Sequence, residues 1–148
     1  MYKLLEHESE IGIEACGSTI EEAFSEASKG LFSVMAGIDK VQRMKSIHFE
    51  CKSDKIDELL IECANKLVFI MSKDDMLFSD FEYKIITDDN DKEGKYTAEC
   101  DAYGENIDFS RHTLHVEVKA VTYSGLKVWK DTDSEAKTRH CVRFIADI

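Results

Sequence analysis

Two amphipathic segments constrain this fold more than any other feature of the sequence. In residues 17–37, apolar side chains recur at the three- and four-residue spacing of one helix face. Ser18 and Glu21 near its start have the spacing of a capping box. A second segment of this kind spans residues 54–73, with Asp54 as the predicted N-cap. The sequence therefore predicts two helices that each bury one face.

The other segments alternate apolar and polar residues, which is typical of β-strands with one buried face. They are residues 2–6, 11–16, 41–52, 77–88, 95–104, 112–123, 125–130 and 139–148. The polar stretch 88–94 between two of them has the composition of a hairpin turn. The chain contains no proline and no low-complexity linker. We expect residues 1–148 to form a single compact α+β domain, with two helices packed on a largely antiparallel β-sheet.

The charge of the chain bears on its partners. Acidic residues number 30 and basic residues 19, for a formal net charge of −11. The longest basic group is Arg43 to Lys45, which is too short to form the clustered positive surface that a phosphate backbone requires. We therefore expect no stable direct binding of nucleic acid, and attraction to a partner that is itself basic.

Five cysteines are widely spaced, and no pair has the C-x-x-C spacing of a zinc or redox site. Free thiols in a chain of this kind fit a reducing compartment. No apolar run is long enough to span a bilayer, and the N-terminal residues do not have the pattern of a secretory leader. The expected location is cytoplasmic, without membrane contact.

Few residues have the spacing of a catalytic or metal site. His112 and His115 could be metal ligands, but a spacing of three on a strand puts the two rings on opposite faces, so structural or surface roles are favoured. The side chain of Asp147 lies next to the α-carboxylate of Ile148, a pair that could bind a hard cation if a third acid approached. Spacing alone favours a frayed terminus there.

Three groups of residues carry a resemblance to a known family. These are the N-terminal EHESEIGIEACGSTIEEAF, the segment YGENIDFSRH followed by VEVKAVTYSGLKV, and the terminal FIADI. In these motifs, and along essentially its whole length, the chain resembles the archease family. The resemblance implies a compact α+β domain of two helices against a sheet. It also implies a non-catalytic activator of an RtcB-type tRNA-splicing RNA ligase, which promotes guanylylation and turnover of the ligase.

The resemblance also implies a metal site. Transferred to this sequence, it comprises Glu10, Asp39, Asp147 and the C-terminal carboxylate of Ile148. Oxygen ligands without histidine or thiolate favour Ca²⁺, with Mg²⁺ as the alternative, over zinc. Glu10 stands where the family usually has aspartate, so its carboxylate lies one methylene farther from the backbone.

Other positions match the family without a defined role. His7, Lys119 and Tyr123 follow its pattern, and either packing or contact with the ligase would account for the last two. Ser124 stands where the family usually has a histidine.

Two hypotheses of function follow. The first is an acidic protein cofactor that docks on a basic RNA ligase and presents a cation or carboxylates near its active site. The alternative is a stand-alone metal-dependent hydrolase that uses the same acidic cluster to activate water. An enzyme needs a pocket with convergent polar groups beside the metal, whereas an activator can carry the cluster on an open surface. A chaperone-like role would need a large exposed apolar patch, and the apolar stripes are predicted to be buried.

Overall fold

The computed structural model describes residues 1–6 and 9–148. Within them, two helices and seven strands follow one another along the chain, together with a short 3₁₀ helix after the first helix. In chain order these are β1 (Tyr2–Glu6), β2 (Glu10–Gly17), α1 (Ile20–Met35), the 3₁₀ helix (Ile38–Lys40), β3 (Lys45–Ser53), α2 (Ile56–Asp74), β4 (Met76–Thr87), β5 (Tyr96–Asn106), β6 (Ala120–Thr132) and β7 (Thr138–Asp147).

The strands form two antiparallel sheets rather than the single sheet that alternation suggests. One has the order β1-β2-β7-β6 and the other β3-β5-β4. In the first sheet the last strand of the chain lies between the second and the sixth. The predicted α+β class, with two helices on antiparallel strands, is confirmed. The four-stranded sheet also brings the first and last strands of the chain together.

α1 begins one residue later than its capping-box pattern predicts. Thr19 is the N-cap, and its hydroxyl oxygen accepts a hydrogen bond of 3.0 Å from the backbone N–H of Glu22. The Glu22 carboxylate in turn accepts a bond of 3.2 Å from the N–H of Ser18. Together these bonds satisfy two backbone donors at the helix start, and the return bond falls on Ser18, one residue before the N-cap. The capping box is therefore Thr19 with Glu22, not Ser18 with Glu21.

α2 starts without a side-chain cap. Lys55 occupies the N-cap position, and the predicted cap, Asp54, instead accepts a hydrogen bond of 3.2 Å from the N–H of Lys95. That bond ties the start of the helix to the end of the β4–β5 turn. The helix is followed by Asp75 in the left-handed conformation, with φ of 51°. Among the described residues, no helix is long and apolar enough to cross a membrane.

The core lies between the helices and both sheets. α1 contacts β2 and β4, and α2 contacts β3 and β6, so each helix touches both sheets. Phe32 of α1 packs against Phe78 and Phe81 of β4, with ring centroids 5.4 and 5.6 Å away. β5 approaches β4 so closely at Gly104 that a Cβ atom there would overlap the carbonyl oxygen of Leu77. Glycine is therefore required at this contact.

The segment 112–119 differs from its prediction. Its alternating residues predict a strand, but regular pairing begins only at Ala120. Before that point the backbone is bonded to the end of α1, where the N–H groups of His115 and Val116 donate to the carbonyl oxygens of Met35 and Val34. The alternation does not lead to a strand here, because the hydrogen-bond acceptors of this segment belong to a helix end whose carbonyl groups have no partner within the helix.

Candidate functional site

Two of the predicted metal ligands, Glu10 and Asp147, lie on neighbouring strands. Glu10, the first residue of β2, is directly opposite Asp147, the last residue of β7. Beyond this pair, the backbone N–H of Ile148 donates a hydrogen bond of 3.1 Å to the carbonyl oxygen of Ser9. Directly opposed residues of antiparallel strands point to the same face, with Cβ atoms about 4.5–5.5 Å apart. Glu10 and Asp147 are therefore neighbours beside the chain terminus.

Asp147 is also held from its other side. Ala120 of β6 is its partner there, and the N–H of Lys119 donates a hydrogen bond of 2.8 Å to the Asp147 carbonyl oxygen. The last residues of the chain are thus bonded to β2 on one side and to β6 on the other. The frayed terminus that spacing favours is absent, because Ile148 itself is hydrogen-bonded.

Asp39 lies just beyond the end of α1. It lies exposed on the 3₁₀ helix that follows α1, two residues after Gly37. The N–H of Gly37 donates a hydrogen bond of 3.0 Å to the carbonyl oxygen of Thr113, at the start of the segment that ends at Lys119. The segment 113–119 therefore bonds at one end to the backbone near Asp39 and at the other end to Asp147.

The carboxylate oxygens of Glu10, Asp39 and Asp147 do not all lie within 4.8 Å of one another. Binding one ion would require side-chain movement, which the exposed position of Asp39 permits. The donor set consists of hard oxygens, including the terminal carboxylate, and fits Ca²⁺ or Mg²⁺ better than a softer metal. Within the described residues, no salt bridge reaches Glu10 or Asp147. The assignment of these residues to a metal stays a prediction.

Four residues farther along β2, on the same face, the negative charge is neutralised. The carboxylate of Glu14 lies 3.2 Å from Nη2 of Arg143 and 2.8 Å from Nζ of Lys3. Burial acts to raise the pKa of Glu14, but the hydrogen bonds and charges of Lys3 and Arg143 outweigh it and hold that pKa below its usual value. Lys3 and Arg143 therefore neutralise Glu14 but not Glu10, which lies at the other end of this face beside Asp147.

Three residues match the family pattern without a defined role: His7, Lys119 and Tyr123. His7 lies outside the described residues. Lys119 is exposed, and its backbone rather than its side chain provides the contact with Asp147. Tyr123 is 57% exposed, and its hydroxyl donates a hydrogen bond of 3.4 Å to Oε1 of Glu62 on α2. Burial of the hydroxyl, followed by the charge of Glu62, raises the pKa of Tyr123.

Tyr123 stands at an irregularity of β6. The six residues from Thr122 to Lys127 oppose only three on β7, so three extra residues bulge out of the ladder. Ser124 is exposed in this bulge, and Gly125 follows with φ of 69°, a conformation that favours glycine. The bulge begins two residues after Ala120, the β6 residue that pairs with Asp147.

The sequence analysis missed a buried polar network in the YGENIDFSRH segment. Glu105 accepts a hydrogen bond of 2.6 Å from the N–H of Gln42 and forms a salt bridge with Arg111. Nε2 of the buried His112 lies 3.2 Å from the same carboxylate, while its Nδ1 accepts a bond of 2.9 Å from the N–H of Asp108. His112 is thus a structural residue, as favoured from the sequence. It lies in a loop rather than on a strand.

The cysteines correct one expectation. Cys16 of β2 and Cys141 of β7 are direct cross-strand partners with Cα atoms 4.1 Å apart, and they form a disulfide. The prediction that all cysteines are free thiols is therefore wrong. Cys51, Cys63 and Cys100 are free, and burial raises the pKa of Cys100 to about 12, so that this thiol stays protonated.

An apolar groove runs beside α2. It has a volume of about 590 Å³ and lies between the outer face of that helix and the segment 114–119. Phe69, Leu114 and Val116 line it and are 56%, 41% and 41% exposed. The expectation that the apolar stripes are buried is wrong for Leu114 and Val116. Neither Glu10 nor the other predicted metal ligands line the groove.

Comparison with known proteins agrees with this architecture. Residues 2–148 match the Archease protein family (MTH1598/TM1083). The chain is 34% identical over 143 residues to the protein archease of Pyrococcus furiosus, covering 97% of this chain and 95% of that protein.

Solved structures show the same fold. The solution structure of Methanobacterium thermoautotrophicum protein 1598 superposes with a TM-score of 0.77 at 25% identity, covering 99% of this chain and 98% of that one. A Thermotoga maritima crystal structure, described as an archease and possible chaperone, gives a TM-score of 0.52 at 15% identity, covering 100% and 98%. By its sequence match over nearly the whole chain, this protein belongs to the Archease family.

Proposed function

We propose that this chain is a non-catalytic protein cofactor that activates an RtcB-type RNA ligase in tRNA splicing by promoting ligase guanylylation and turnover. The observation that carries the proposal is the register that sets Glu10 opposite Asp147, beside a chain terminus bonded up to its last residue. Family membership supports a function exercised through a protein partner.

In this proposal Glu10, Asp39, Asp147 and the Ile148 carboxylate hold one divalent cation, Ca²⁺ or alternatively Mg²⁺. Such an ion would supply a fixed positive charge that offsets the repulsion among these carboxylates. The protein contributes the placement, because both neighbouring strands hold Asp147 by hydrogen bonds and register. Ion binding should stabilise the fold by about 2.7 kcal/mol at a hundredfold excess over the dissociation constant.

The position of the acidic residues favours an activator over a hydrolase. Glu10 and Asp147 lie where two strands end, and the apolar groove beside α2 is lined by neither of them. A hydrolase would need its water-activating metal in a cavity that also binds the substrate. A cluster at the end of a sheet can instead be inserted into the active site of a partner. Cleavage of RNA by the purified chain would support the hydrolase.

Charge supports a basic partner. With a net charge of −11, the chain attracts positive surfaces and repels phosphate backbones. Raising the salt concentration should slow association with the ligase much more than it changes dissociation, because long-range steering acts on the association rate. Isolated protein should bind RNA weakly at moderate salt. An association rate that is insensitive to salt would remove electrostatics from the proposal.

The test is single-turnover guanylylation of the cognate ligase, with and without this protein and with Ca²⁺ or Mg²⁺. Asp147→Ala should abolish both activation and the stabilisation by metal while leaving the fold intact. A variant with one residue added after Ile148 moves the terminal carboxylate without removing a side chain, and should also fail to activate. Asp89→Ala removes an exposed carboxylate from the β4–β5 turn and serves as the matched control.

The outcomes separate the parts of the proposal. If the parent protein does not accelerate guanylylation, the function is wrong. Should Asp147→Ala and the extended variant both activate like the parent, the function stands and the site assignment is wrong. Loss of activity in Asp89→Ala as large as in Asp147→Ala would indicate a general effect of charge rather than a site.

A further inference from the structure

We propose a second metal site, for a divalent transition ion such as Zn²⁺, formed by His48, Glu50 and Glu99 on the exposed face of the three-stranded sheet. One ring nitrogen of His48 and one carboxylate oxygen from each glutamate all lie within 4.8 Å of one another. Among the described residues, this is the only such group of three. It lies on β3 and β5, away from the strands that carry Glu10 and Asp147.

Strand geometry explains why the three side chains converge. His48 and Glu50 are two residues apart on β3 and so point to the same face. Glu50 is directly opposite Glu99 in the register of β3 with β5, and His48 is directly opposite Asp101. The convergence therefore follows from the backbone pairing and does not depend on a loop.

The two glutamates form no salt bridge among the described residues. Like charges directly opposite each other on neighbouring strands are destabilising. In the part of the chain that the structure describes, no salt bridge reaches Glu50 or Glu99, although the nearby Lys52 is paired with Asp91 at 2.7 Å. Lys84 of β4 lies opposite Glu99 but forms no salt bridge with it. A cation between the glutamates would remove the repulsion.

His48 is oriented as a metal ligand is. Its Nδ1 lies 2.8 Å from Oδ1 of Asp101. When Nδ1–H donates to that carboxylate, Nε2 carries the lone pair and is available to an ion. Histidine ligands in proteins almost always donate their other ring N–H in this way, which fixes the tautomer and the ring. This second carboxylate contact distinguishes the group from a simple cluster of acidic residues.

The ligand set selects the ion. One imidazole and two carboxylates suit Zn²⁺ and its neighbours in the transition series, with water completing the coordination. Ca²⁺ prefers oxygen alone. The site also joins an edge strand, β3, to the central strand β5. A bound ion would therefore tie that edge strand to the sheet.

The test is calorimetric titration of the full chain with Zn²⁺ in the presence of excess Ca²⁺. We expect His48→Gln and Glu99→Gln each to weaken zinc binding at least tenfold, and Asp101→Asn to weaken it about 10–100-fold through the orientation of the ring. His115→Gln removes an exposed histidine outside the group and should leave binding unchanged. Asp147→Ala should also leave it unchanged, so the result is independent of the proposed function.

Two results would overturn the site. One is zinc affinity of His48→Gln within threefold of the parent, or an equal loss in His115→Gln. The other is intense thiolate charge-transfer absorption of the Co²⁺ complex, which would assign the metal to free cysteines such as Cys51. Far-ultraviolet circular dichroism and urea unfolding without metal establish that each variant is folded, so loss of binding in a folded His48→Gln supports the site.

Discussion

Substitution of Glu105 by glutamine tests the buried network described above. The hydrogen bond from Arg111, followed by the bond from the N–H of Gln42, lowers the pKa of Glu105 from 4.5 to about 2. At about 1.4 kcal/mol per pH unit, this difference corresponds to about 3 kcal/mol of stability at neutral pH. Arg111 is 43% exposed, so water screens part of the interaction. We therefore expect Glu105→Gln to lower the free energy of unfolding by about 2 kcal/mol at pH 7.

The pH dependence follows from the direction of the shift. Because the folded-state pKa is depressed, the contribution of Glu105 is complete above pH 4.5 and is lost as the pH falls toward about 2. Urea unfolding of the parent and the variant between pH 7 and pH 2 should show a difference that shrinks through this window. Glu135→Gln, an exposed carboxylate beside Lys137, is the control. A difference at pH 7 below about 0.5 kcal/mol, or one independent of pH, would refute the reasoning.

Three further predictions concern the core and the disulfide. Gly104→Ala should largely prevent folding, measured as loss of cooperative thermal unfolding, because its Cβ overlaps the Leu77 carbonyl oxygen. Phe32→Ala should cost about 3–5 kcal/mol in urea unfolding, since the ring is fully buried; a loss under about 1 kcal/mol would contradict this packing. Replacing Cys16 and Cys141 by serine should lower the free energy of unfolding by up to about 4–5 kcal/mol, because the disulfide closes a loop over 125 positions. A reductant should lower the free energy of unfolding of the parent protein to nearly that of the variant.

The spacing of apolar residues along the sequence predicts the elements that bury one face over their full length. Both helices and the strands β4 and β5 lie close to their predicted ranges. The segment 112–119 shows the limit of this method. Its alternation indicates extended backbone with one side turned inward, but does not say whether the backbone partner is a strand or the end of a helix. That choice depends on where α1 ends, which is a tertiary property.

Contacts between strands depend on the register of pairing. Residues that meet in this way have no fixed separation in the sequence, so a single sequence does not reveal them. The pairing of Cys16 with Cys141 and the convergence of Glu99 on His48 are of this kind. The His-x-Glu spacing at residues 48–50 does predict a shared face once a strand is assumed. Adjacency in the sequence indicates Asp147 and the Ile148 carboxylate as a possible cation pair, but Glu10 and Asp39 came from family resemblance alone. The register then placed Glu10 opposite Asp147 without testing the metal.

The position of β7 has a consequence for synthesis of the protein on the ribosome. The three-stranded sheet is complete once Asn106 has emerged, and both helices precede that point. The four-stranded sheet is different, because β2 and β6 both pair with a strand made of the last residues of the chain. Pairings between such distant segments form slowly, and domains of nascent chains fold as units. The edge of β2 that pairs with β7 therefore stays unpaired until residues 138–147 have been synthesised, and a chain terminated before Thr138 cannot close this sheet.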